Sequence, residues 1–85
     1  MKVSTSTEAM DIVSRVAEEN PKYVSKDLDA LIEVGEVDME TIFNGYLWEA
    51  IEDEVPEMDE DTNTLLADAT IDYFAEQLAG CFEED

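Results

Sequence analysis

Residues 61–82, DTNTLLADATIDYFAEQLAGCF, decide the fold class. Their apolar positions, Leu66 or Ala67, Ile71, Phe74, Ala75, Leu78 and Phe82, recur at intervals of three and four. That is the stripe of a helix with 3.6 residues per turn and not the alternation of a strand. Asp61 or Thr62 is expected to start the helix, which is the longest in the chain.

Working outward from this segment, the same period recurs. Thr5 and Glu8 form a capping box ahead of Ala9, Ile12, Val13, Val16 and Ala17, and Asn20-Pro21 ends that first helix. Ser25 is a candidate cap for a short second helix carrying Leu28, Leu31 and Ile32 and ending at Gly35. Asp38 is the natural cap of a third, whose stripe of Ile42, Phe43, Tyr46, Leu47, Ala50 and Ile51 runs toward Pro56, with Gly45 weakening its middle. The expected fold is therefore all-α, a small single-domain bundle of about four helices covering residues 1–85.

At 85 residues the chain supports one modest core, and 45% hydrophobic against 33% charged residues is a globular composition, unlike a disordered acidic tail. No apolar run approaches the roughly 20 residues needed to span a bilayer, and none resembles a signal peptide. A soluble, cytoplasmic protein is expected. A lone cysteine, Cys81, between Leu78 and Phe82, reads as a packed thiol suited to a reducing compartment.

Charge is the most informative feature. The net charge is −20: residues 1–43 hold 10 acids and all 4 bases, and residues 44–85 hold 14 acids and no base. Such a field repels nucleic acid and anionic membrane and steers basic surfaces inward. Direct binding to DNA, RNA or lipid headgroups is thus disfavoured, and a basic partner protein is favoured. In the long helix, Asp68, Asp72 and Glu76 fall at i, i+4, i+8, a negative ladder that costs roughly 0.2–0.5 kcal/mol per pair. Upstream, Glu49, Glu52, Asp53, Glu54, Glu57, Asp59, Glu60 and Asp61 supply a second row, and with two neighbouring elements the rows would lie parallel.

Duplex DNA carries one charge per roughly 1.7 Å, so 20 charges correspond to about 34 Å of duplex. In composition, size and charge pattern the chain resembles the DNA-mimic inhibitors. These small acidic proteins, often encoded by phages or mobile elements, occupy the DNA sites of restriction, repair, recombination, CRISPR or chromatin proteins. The resemblance implies a non-catalytic anti-restriction or anti-CRISPR type of inhibitor in the host cytoplasm, with those carboxylates standing in for phosphates. Two other readings stand beside it. One is a salt-adapted protein whose acidic surface is merely solvated. The other comes from VGEVDMETI (34–42), AIEDEVPE (50–57) and ATIDYF (69–74), which resemble acyl carrier proteins. In that family the second long helix opens with Gly-x-Asp-Ser-Leu. Here Gly35 and Met39 fit, but Asp38 stands at the phosphopantetheine serine and Val37 at the preceding aspartate. The resemblance thus implies an acidic adaptor without a thioester.

Other chemistry finds little support. Asp59, Asp61 and Asn63 begin like a calcium loop, yet Thr64 replaces its glycine and Thr70 its glutamate. With no histidine and no Gly-rich phosphate loop, zinc sites, nucleophilic triads and nucleotide cradles lack their residues. Residues 35–42 loosely resemble a helix-turn-helix turn, but the helix that follows offers acids where phosphates would lie. No catalytic residue, metal ligand or cofactor is expected. Trp48, beside Glu49 and Glu52, reads either as an exposed anchor for the partner or as a residue closing the core or a homodimer seam. Tyr23, Tyr46 and Tyr73 read as core-edge residues with wet hydroxyls.

Overall fold

Five helices make up the regular structure of the computed structural model, which describes residues 3–82, with side chains placed as far as Gly80. They are α1 (Ser6–Glu19), α2 (Pro21–Val34), α3 (Met39–Phe43), α4 (Tyr46–Glu54) and α5 (Glu60–Phe82), and no strand occurs among the described residues. The all-α class is as expected. The expectations for Cys81 and for an inward Phe82 lie outside the described side chains.

Helix α1 follows its sequence closely. Thr5 Oγ1 accepts the Glu8 N–H at 3.1 Å, and Glu8 reaches back to the Ser4 N–H at 3.0 Å. Ala9, Ile12, Val13, Val16 and Ala17 are all buried. Asn20 alone separates α1 from α2, and its side-chain amide donates to the Val16 carbonyl at 2.9 Å. Helix α2 therefore starts at Pro21, four residues before the expected Ser25 cap, because proline at the first helical position needs no hydrogen bond and brings the right φ. Gly35 ends it at φ 95°, a left-handed conformation that glycine takes without steric cost.

The expected third helix is two helices. Asp38 caps as anticipated, accepting from the Thr41 N–H at 3.2 Å, but α3 ends after five residues. Helix α4 then begins on a cap that arrives from another helix: Asp27 of α2, buried, accepts the Tyr46 and Leu47 N–H groups, each at 2.9 Å. Gly45 makes this approach feasible. A Cβ at that position would lie 2.7–2.8 Å from the Asp27 carboxylate.

The break shifts the inward register by one position. Leu47, Trp48, Ile51 and Val55 are buried, whereas Phe43 and Tyr46, placed on the stripe of a continuous helix, are 41% and 51% exposed. Ile32 of α2, also expected inward, is likewise exposed.

Helix α5 starts at Glu60, one residue ahead of the expected Asp61 or Thr62, because the Asp59 carboxylate accepts the Thr62 N–H at 2.8 Å. Its buried side is Thr62, Leu66, Ala67, Ala69, Thr70, Phe74 and Leu78; Ile71 is only half-buried and Ala75 is exposed. Buried Thr70 satisfies its hydroxyl on the Leu66 carbonyl at 2.7 Å. Helix α5 packs mainly along α1, and α4 packs mainly on α1 and α2. Helices α1 and α5 run in the same direction: the Val3 N–H meets Thr62 Oγ1 at 3.3 Å, and further along Met10 and Asp11 share a groove with Leu65 to Asp72. The body measures 40 × 22 × 21 Å.

Candidate functional site

Helix α5 exposes Asp68, Asp72 and Glu76, and the first two border the groove between α5 and α1. At 1.5 Å of rise per residue, the three carboxylates stand about 6 Å apart along the axis. The row beside them comes from α1. Asp11 lines the same groove as Asp68 and Asp72, together with Ser6, Thr7 and Met10, and no base among the described residues lines that groove. Further along α1, Glu18 lies close enough to Tyr73 to act on its hydroxyl. Burial pushes the Tyr73 hydroxyl above its ordinary value, and the Glu18 charge adds to the rise.

The acids expected to form the parallel row are placed differently. Glu49, Glu52, Asp53 and Glu54 are exposed on α4, and Glu57, Asp59, Glu60 and Asp61 are exposed around the turn into α5. Since α4 packs mainly on α1 and α2, its acids are not the ladder's companion row. The reason is topological: α1, remote in sequence, takes the place beside α5. Two of these acids also have structural duties. Glu54 pairs with Arg15 of α1 at 2.9 Å across an exposed contact, worth at most about 1 kcal/mol, and Asp59 holds the start of α5.

Trp48 is not an exposed anchor. It is 5% exposed, with its ring centroid 4.9 Å from that of Phe43, and it closes the core where α3 meets α4. Aromatic exposure lies elsewhere. Tyr23 and Tyr46 stack with centroids 5.8 Å apart and are 39% and 51% exposed, more open than the core-edge placement expected of them. Lys26 sits over the Tyr46 ring, 5.0 Å from its centroid.

Sequence reasoning missed Asp11, Glu18 and the tyrosine pair. The exposed side of α1 could have flagged the first two, because positions 11 and 18 share one helical face. Only the packing of α1 against α5 shows what that face adjoins.

Among the described residues, no group of three or more His, Cys, Asp or Glu is arranged to hold a metal ion, and no helix is long and apolar enough to cross a membrane. Comparison with family models, curated proteins and solved structures gives no match.

Proposed function

We propose that the chain acts without catalysis, as a DNA mimic that binds and inhibits a basic nucleic-acid-binding protein of host defence, repair or chromatin. One observation carries this reading. Asp68, Asp72 and Glu76 stand exposed one turn apart on one helix, with Asp11 beside them and, among the described residues, no base lining the groove between. Selection for stability alone would have interleaved lysines along such a row. A row kept free of them costs folding energy, and that cost is offset where the row meets a surface built for phosphates. Dimensions support the reading too. A duplex 40 Å long carries about 24 charges, close to the 20 net charges on a body of that length.

The test is retention and release. A nucleic-acid-binding protein retained from a host lysate by the immobilised chain should elute with duplex DNA at constant ionic strength. The D68N/D72N/E76Q variant should fail to retain it, since such contacts weaken when charge is removed or screened. Retention that survives saturating DNA refutes mimicry and, if the bound protein is an enzyme of acyl or thioester metabolism, points to the adaptor reading. A chain that retains nothing and folds only in concentrated salt is salt-adapted.

A further inference from the structure

The exposed Tyr23–Tyr46 pair adjoins two carboxylates one helical turn apart, Glu49 and Asp53 on α4. Together with Asn20 and Ala50 they line a single shallow groove between the α1–α2 junction and α4. Each component fits one part of a guanidinium group. Stacked phenol rings offer a π surface to its flat face, and the carboxylates offer acceptors to its N–H fork. The Tyr46 ring already attracts a cation in the folded protein, with Lys26 over it. Lysine, a compact and strongly hydrated point charge, gains less from such a surface than arginine does.

We infer that this groove is a docking site for an arginine side chain on a basic protein segment, an aromatic anchor separate from the α5 ladder. Charge complementarity selects the occupant, because the carboxylates beside the rings exclude an acidic segment and a second copy of this net −20 chain. The inference rests on the basic-partner reading for its choice of occupant, but it concerns a different groove and a different chemical preference. A phosphate backbone presents no aromatic ring face, so this anchor adds a contact that phosphate mimicry alone does not supply.

The experiment uses oligoarginine and oligolysine peptides of equal length as probes, titrated into the full chain by calorimetry and by amide chemical shifts. Oligoarginine should bind roughly two- to fivefold more tightly, the range set by an exposed cation–π contact. Its largest shifts should fall at Asn20, Tyr23, Tyr46, Glu49 and Asp53. Y23L/Y46L should shrink the arginine preference to what the carboxylates alone give, and weaken oligolysine binding less than oligoarginine binding. Y23F/Y46F, which keeps both rings, should retain the preference, and a circular dichroism spectrum of Y23L/Y46L that matches the wild type shows that its loss is not a folding defect. Equal affinity for the two peptides, or an arginine preference undiminished in Y23L/Y46L, overturns the inference. Neither peptide result depends on displacement by DNA, so the anchor and the mimicry fail separately.

Discussion

Removing the Asp27 carboxylate should be among the most damaging single changes in this protein. Asp27→Ala strips both acceptors from the start of α4. The Leu47 N–H is buried and finds no replacement, whereas the Tyr46 N–H is partly open to water. Hydrogen bonds to a charged group contribute about 1.5–3 kcal/mol each. Rehydration at Tyr46 and relief of the desolvation of Asp27 offset part of that. A net loss of about 3 kcal/mol follows. For a domain of this length, with a total stability of roughly 4–13 kcal/mol, that is a large fraction. At about 4–8 °C per kcal/mol, the melting temperature falls by roughly 12–24 °C. Urea denaturation followed by circular dichroism measures the effect.

Gly45→Ala provides the control for this account, because its Cβ would collide with the same carboxylate. It should cost about 1–3 kcal/mol in the wild-type background and close to nothing alongside Asp27→Ala. If Asp27→Ala costs under about 0.5 kcal/mol, or Gly45→Ala costs the same in both backgrounds, the cap is not what starts α4.

The D68N/D72N/E76Q variant should gain about 0.4–1 kcal/mol from relief of its two i, i+4 repulsions, with the gain shrinking as salt is added. Thermal melts at low and high ionic strength test this, and a less stable variant would mean the ladder is not self-repelling. The raised titration of Tyr73 predicts an alkaline weakness. Below its unfolded value of about 10 the residue is neutral in both states, and stability falls as pH rises from there through the folded value, because the unfolded chain sheds the proton first. Tyr73→Phe should flatten that part of the stability–pH curve; an unchanged slope refutes the assignment.

The sequence made the local features legible. Caps at Thr5 and Asp38, the stop at Gly35 and the inner face of α1 are each specified within a few residues. Long-range features were illegible for a physical reason. The cap of α4 comes from Asp27, 19 and 20 positions before its donors, so no local pattern announces it. Gly45 hinted at weakness, but only the nearby carboxylate turns weakness into a break. That break resets the helical phase, which is why Trp48 turns inward and Phe43 and Tyr46 turn outward. The acidic bias was plain from composition. Which rows share a surface depended on α1 lying beside α5, and periodicity within each helix is silent on such pairings.

The side-by-side course of α1 and α5 has a consequence during synthesis. Val3 and its contact at Thr62 are 59 positions apart, so at 5–20 residues per second the inner face of α1 waits roughly 3–12 s for its main partner to emerge. Through that interval the nascent chain shows Ile12, Val13 and Val16 to its surroundings, a sticky condition for most polypeptides. Mutual repulsion among the acids already made, up to Asp61, keeps unfinished copies apart. Acids ahead of the ladder thus protect the chain before it can fold.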